Sequence, residues 1–184
     1  MFNIQGLKEK FKSLFNAEPL LVRSPGRVNI IGEHTDYNQG FVLPAAIDKA
    51  IYVAIGKRAD DIISLYAQDY QQSHEVTISS VAPSDKHWPN YILGVVDQLQ
   101  KAGHIIGGFN LAIDGDVPLG AGLSSSAAVE CATGFALNEL FALGIEKIEM
   151  VKAGQKADNC VCMSHVRYGV SSVKHHLREP VHVL

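Results

Sequence analysis

The sequence predicts an α+β domain in which a mixed sheet packs against helices. Apolar segments typical of strands recur at 50–55, 62–66 and 109–114. Apolar residues spaced by three and four positions, as in amphipathic helices, occupy 4–15 and 88–99. The order of elements is helix, several strands, helix, strand, loop and two helices, which is the order of one mixed domain.

The first elements are a helix and an extended segment. Apolar residues at helical spacing over 4–15, with lysines between them, predict a helix that covers one flank of the core. Pro19 is predicted to end this helix, and an extended segment begins at 20–23. A short apolar strand is predicted over 28–31.

The later elements follow from the same periodicities. The segment 75–78 is predicted to be an edge strand, and Gly103 is predicted to end the helix over 88–99. Within that helix, Trp88 and Tyr91 are interpreted as core residues rather than as a platform for a ligand. The two helices predicted after the loop cover 127–143 and 145–159.

Composition excludes several classes of function. The 184 residues are 47% hydrophobic and 19% charged, which indicates a globular chain with a real core. Sixteen Lys and Arg against 19 Asp and Glu give a net charge of −3, which argues against nucleic-acid binding through phosphate neutralisation. No apolar run approaches the roughly 20 residues that span a bilayer. No export signal or disulfide framework is visible, so a cytoplasmic location without a membrane partner is expected.

A loop of glycine and serine joins the strand over 109–114 to the helix that follows it. Small side chains leave its backbone N–H groups accessible to an anion at a helix N-terminus. It has neither the lysine of a Walker A loop nor the glycine pattern of a dinucleotide fingerprint. The residues alone fit either a phosphate loop or a simple helix cap, and Ser126 could cap the helix or ligate Mg²⁺. The stretch is Val117-Pro118-Leu119-Gly120-Ala121-Gly122-Leu123-Ser124-Ser125-Ser126.

A second polar stretch covers 24–40. Several converging donors and acceptors around the short strand suit a small polyhydroxylated ligand. A solvated turn between strands fits the same residue types equally well. The side chains that crowd the strand are Arg27, Asn29, Glu33, His34, Asp36 and Tyr37.

The segment 160–184 has a different composition. It holds four of the eight histidines and two of the three cysteines, and its only acidic residue is Glu179. Cysteine and histidine together suggest a metal site. However, Cys160 and Cys162 are separated by one residue, and the histidines lack a compact ligand spacing. We therefore predict no specific metal site in this segment.

Taken together, the two polar stretches resemble the galactokinases of the GHMP family of small-molecule kinases. The resemblance covers about residues 4 to 159. It implies a GHMP-kinase N-terminal domain over 1–159, of the ribosomal protein S5 domain 2-like fold, and an atypical tail over 160–184. The stretches that resemble the sugar signature, the ATP-phosphate motif and two further family segments are 26–37, 118–126, 41–47 and 154–159.

The resemblance also implies a reaction and roles for residues. The reaction is phosphoryl transfer from ATP, with Mg²⁺, to galactose, giving galactose 1-phosphate. Arg27 would lie near the attacking hydroxyl and the transferring phosphoryl group, where it offsets developing charge. Ser126 would bind Mg²⁺ together with Asp158, which stands where the family usually has glutamate. The implied sugar-binding residues are Glu33, His34, Thr35 and Asp36, and the implied ATP-binding residues are Gly120, Ala121, Gly122, Leu123, Ser124, Ser125 and Ser126.

The tail departs from the family pattern. The family carries a catalytic aspartate in a Cys-Gly-Ile-Met-Asp-Gln segment shortly after the stretch that matches 154–159. Here 160–170 contains no aspartate, and none follows Asp158. We therefore expect a truncated chain, arising from a frameshift or a mispredicted gene, with little or no kinase activity. Loss of the second domain is expected to leave an apolar face exposed.

The sequence leaves two alternatives open. A non-catalytic, galactose-responsive regulator of the same fold would bind sugar and a partner without transferring phosphate. An N-acetylgalactosamine kinase would use the same chemistry on a larger sugar, although Thr35 and the residues at 38–40 favour galactose.

Overall fold

A computed structural model describes residues 2–31, 43–118, 122–161 and 182–183 of the chain. Its helices are α1 (Ile4–Phe15), α2 (Trp88–Lys101), α3 (Ser125–Phe141) and α4 (Lys147–Val161), with a 3₁₀ turn at Ile78–Ser80. Its strands are β1 (Leu20–Ile31), β2 (Leu43–Lys57), β3 (Ile62–Ala67), β4 (Gln72–Thr77), β5 (Phe109–Gly115) and β6 (His182–Val183).

The strands form a mixed sheet in the order β4-β3-β5-β2-β1-β6. β3 and β5 run parallel, and the other neighbouring pairs are antiparallel. The predicted mixed sheet packed against helices is thereby confirmed, and the strand predicted at 75–78 corresponds to β4 at one edge. No helix within the described ranges combines the length and the apolar character that crossing a membrane requires.

The sheet is covered on both faces, which explains the uninterrupted apolar run in β2. Val53 and Ile55 join the core that β2 forms with α2, α3 and α4. Tyr52 and Ala54 face the other way and pack with Leu7 of α1. A strand buried on both faces needs apolar residues at successive positions instead of alternate ones. The strand predicted at 50–55 is therefore a central strand of the sheet.

α1 ends earlier than the sequence suggested. Leu7 and Phe11 are buried against the sheet, as the helical spacing predicted. The helix stops at Phe15 because Asn16 adopts a left-handed conformation (φ 50°) and its N–H donates to the carbonyl four residues earlier at 2.8 Å. Pro19 therefore lies beyond a helix that has already ended.

β1 and β2 form a hairpin that extends past the rest of the sheet. The two segments predicted separately at 20–23 and 28–31 are one strand, with irregularities on either side of Arg27 to Asn29. β5 pairs with β2 only from Ile51 onward. Residues 27–31 of β1 and 43–46 of β2 thus form a two-stranded ribbon. Three large apolar side chains of this ribbon are exposed: Ile30, Ile31 and Leu43.

Gly134→Ala is expected to stabilise the chain by about 1 kcal/mol, because glycine in a helix interior loses more backbone entropy on folding than alanine. A Cβ added at Gly134, in the middle of α3, would lie 3.7 Å from Met150 Cγ and 3.7 Å from Val95 Cγ1, which is ordinary van der Waals contact. Urea unfolding should show a higher midpoint with an unchanged m value. A lower midpoint would mean that α2 and α4 cannot accept the methyl group.

Candidate functional site

β1 and the start of α3 meet through Arg27. The Arg27 backbone N–H donates to the Leu123 carbonyl at 3.1 Å. Its guanidinium Nη2 donates to Ser124 Oγ at 2.7 Å, across 97 positions of sequence. The two polar stretches of the sequence are therefore in direct contact, and the half-buried Arg27 side chain brings a positive charge to the loop.

Gly26 allows this close approach. A Cβ at this position would lie 3.1 Å from the Leu123 carbonyl oxygen and 3.1 Å from Ile47 Cδ1. Both distances are tighter than nine in ten real Cβ contacts, and the oxygen is a backbone atom, so a side chain here would force a shift of a few tenths of an ångström. Glycine is thus favoured where β1 approaches the Leu123 carbonyl.

The start of α3 shows that the Ser124 side chain does not cap the helix. Ser124 precedes the helix in a left-handed conformation (φ 58°, ψ 41°), and its carbonyl accepts from the Ala128 N–H at 3.0 Å. Its side chain makes no capping hydrogen bond to the helix and accepts from Arg27 instead. Ser125 and Ser126 are the first two helical residues. The first turn carries no acidic residue, so its N–H groups keep the partial positive charge of a helix N-terminus.

The other end of the loop is held by Asp116. The Ala50 N–H donates to Asp116 Oδ1 at 2.8 Å, and the Asp116 N–H donates back to the Ala50 carbonyl at 3.1 Å. This pair fixes the point at which the chain leaves β5. Sequence reasoning missed Asp116, since a single aspartate after a strand carries no signal for a partner 66 positions away.

Two ionisable groups near these elements have shifted pKa values. Burial, with the neighbouring Glu130 charge adding to it, raises the pKa of the Cys131 thiol to about 12. The thiol is therefore neutral and unsuited to act as a nucleophile. Burial also raises the pKa of Asp114 on β5, an effect that the Gly115 N–H opposes and the Asp69 charge supports.

Part of the predicted site lies within the described residues. The structure brings together Arg27, Gly122, Leu123, Ser124, Ser125 and Ser126. Asp158 lies on α4, and its side chain is not among those described. Among the described residues, no group of three or more His, Cys, Asp or Glu side chains is placed to hold a metal ion. The predicted site residues outside the described ranges are Glu33, His34, Thr35, Asp36, Gly120 and Ala121.

Comparison with known proteins matches both segments of the chain that contribute to this candidate site. Residues 9–57 match the galactokinase galactose-binding signature, and residues 90–170 match the GHMP kinases N terminal domain. A galactokinase of Roseiflexus sp. (strain RS-1) is 44% identical over 160 residues, which are 86% of this chain and 41% of that protein. The chain therefore spans about two fifths of the length of the curated relatives that it matches.

Solved structures agree with this assignment. The crystal structure of Lactococcus lactis galactokinase complexed with galactose matches with a TM-score of 0.86 and 36% identity, over 92% of this chain and 45% of that chain. The Methanococcus jannaschii mevalonate kinase matches with a TM-score of 0.73 and 20% identity, over 86% of this chain and 52% of that chain. The second likeness supports the fold alone.

Proposed function

Because the chain belongs to the GHMP kinases and carries the galactose-binding signature of the galactokinases, we propose that it binds galactose and the phosphates of MgATP as do kinases that phosphorylate the anomeric hydroxyl. The observation that carries the proposal is the contact of Arg27 with Ser124. That contact joins β1, which lies within the signature, to the loop at the α3 N-terminus.

The phosphate half of the proposal rests on the start of α3. Backbone N–H groups of its first turn, together with the helix dipole, favour an anion at this position. The Arg27 guanidinium adds a permanent positive charge beside the same turn. In phosphoryl transfer, catalysis comes mostly from positioning and from stabilising charge on the transferring group. The ATP-binding residues are proposed to be Gly120 to Ser126.

The sugar half rests on the residues that follow β1. Glu33, His34, Thr35 and Asp36 come directly after the two-stranded ribbon and are proposed to hydrogen-bond the hydroxyls of galactose. They offer carboxylate acceptors, an imidazole and a hydroxyl, a set able to pair with several neighbouring sugar hydroxyls. The galactose in the Lactococcus lactis structure supports this choice of ligand.

Mg²⁺ is proposed to accompany ATP. The Ser126 hydroxyl and the Asp158 carboxylate are hard oxygen donors of the type that Mg²⁺ prefers, so their chemistry fits this ion. When bound, the ion would neutralise charge on the ATP phosphates. Ser126 occupies the second position of α3, in the first turn of the helix.

We propose 1–159 as the family domain, 160–184 as a tail of different composition, and binding rather than turnover as the capability of this chain. The tail contains no aspartate to polarise the sugar hydroxyl. Calorimetry should show binding of galactose and of MgATP, while a coupled assay should show little or no ADP formation. Turnover at an ordinary kinase rate would contradict the role given to the tail. Binding of neither galactose nor N-acetylgalactosamine would refute the proposal, and preference for the latter would indicate the larger-sugar kinase.

Two substitutions should separate the halves of the site. Asp36→Asn is expected to weaken galactose binding about tenfold and to leave MgATP affinity unchanged, because it removes a charged hydrogen-bond acceptor from the proposed sugar site. Ser126→Ala is expected to weaken MgATP binding by a similar factor and to leave galactose affinity unchanged. Each variant serves as the control for the other in the same calorimetric titrations. Equal losses of both ligands in either variant would mean a general loss of structure.

A further inference from the structure

Asn29 carries a polar side-chain atom that the described part of the fold leaves without a hydrogen bond. Its Oδ1 is buried, and no donor in the described part of the chain lies within hydrogen-bond distance of it. The residue directly opposite on β2 is Pro44, which has no N–H to offer. Most buried polar side-chain atoms in proteins are hydrogen-bonded, and an unpaired one is destabilising. The position of Asn29 therefore needs a reason other than stability.

The strand places Asn29 beside Arg27. Pairing with β2 is continuous from Arg27, opposite Ala46, to Asn29, opposite Pro44. Residues two apart on a regular strand point to the same face, about 7 Å apart. Asn29 thus shares the face on which Arg27 reaches Ser124. It stands two residues before the end of β1, after which the proposed sugar-binding residues follow in the sequence.

The chemistry of Oδ1 restricts what can pair with it. An amide oxygen accepts hydrogen bonds, whereas phosphate oxygens at neutral pH also accept and so offer it nothing. Sugar hydroxyls donate. We propose that Asn29 Oδ1 accepts a hydrogen bond from one galactose hydroxyl and so acts as a specificity-determining residue of the sugar site. This inference rests on the proposed function and adds a residue of β1 to the sugar-binding residues proposed at 33–36.

The test compares the same substitution at a paired and an unpaired amide. Asn90 on α2 is buried, and its Oδ1 accepts from the Ser84 N–H at 2.7 Å while its Nδ2 donates to the Ser84 carbonyl at 2.9 Å. Asn90→Leu should lower the melting temperature by several degrees without changing galactose affinity. Asn29→Leu should leave the melting temperature nearly unchanged, weaken galactose about tenfold, and leave MgATP affinity as in the wild type.

Monodeoxygalactoses identify the hydroxyl in a double-mutant cycle. For the sugar that lacks the paired hydroxyl, the wild type and Asn29→Leu should bind equally, and for the others the tenfold difference should remain. The inference is overturned if Asn29→Leu binds galactose like the wild type, loses the same factor with every analogue, or unfolds as readily as Asn90→Leu. A wild-type chain that binds no galactose would instead refute the proposed function, and this inference with it.

Discussion

Gly108→Ala is expected to lower the free energy of unfolding by about 3 kcal/mol or more, the upper end of the range for overpacking. A Cβ at Gly108 would overlap the Asp60 carbonyl oxygen and lie 2.8 Å from that of Ile62. Both atoms belong to the backbone entering β3, so no side chain can move aside. Gly108 also directly precedes β5, which pairs with both β2 and β3, and a displacement there would disturb both ladders.

The adjacent glycine provides a matched control for this effect. A Cβ at Gly107 would have Phe141 Cε1 as its nearest neighbour, at 3.5 Å, which is an ordinary contact. Gly107→Ala should therefore change stability by no more than about 0.5 kcal/mol in the same urea titration. Equal effects in the two variants would mean that backbone entropy, and not the approach of β5 to β3, governs this segment.

Periodicity predicted the elements because it is a local property of the chain. The apolar residues of α2 repeat at helical spacing, and those of β2 form an apolar run. Each pattern therefore predicts the secondary structure of its own segment. The close backbone contact at Gly108 and the pair of hydrogen bonds between Asp116 and Ala50 produce no comparable pattern in the local sequence. They depend on segments distant in sequence that meet only after folding. Sequence alone therefore predicted the elements better than their junctions.

In the candidate site, too, the sequence predicted local features better than contacts between distant segments. A serine-rich stretch before a helix predicts either a cap or a loop, because both need small residues with hydroxyls. Ser124 is neither a side-chain cap nor isolated, since Arg27 holds its hydroxyl. That partner lies 97 positions away, and only the resemblance to a kinase family linked the two stretches in advance. The roles of Glu33, His34, Thr35, Asp36 and Asp158 stay predictions.

Arg27→Met is expected to weaken MgATP binding between about 10- and 100-fold, which corresponds to the 1.5–3 kcal/mol typical of hydrogen bonds to charged groups. The Arg27 N–H bond to the Leu123 carbonyl is made by the backbone and should survive the substitution. The melting temperature should therefore change little, which separates a binding defect from unfolding. Arg27→Lys restores the positive charge but not the planar guanidinium with its several N–H donors. It should therefore recover only part of the MgATP affinity.

Ser124→Gly tests why the guanidinium lies where it does. Glycine tolerates the left-handed conformation of Ser124, so this variant removes the hydroxyl without straining the start of α3. If the hydroxyl serves to orient Arg27, Ser124→Gly should weaken MgATP binding by about fivefold, which is less than the loss expected for Arg27→Met. The variant with both substitutions should then bind MgATP no more weakly than Arg27→Met alone. The Ser124 hydroxyl can have no orienting effect once the guanidinium is absent. Losses that multiply in the double variant would show instead that Ser124 contacts the nucleotide independently of Arg27.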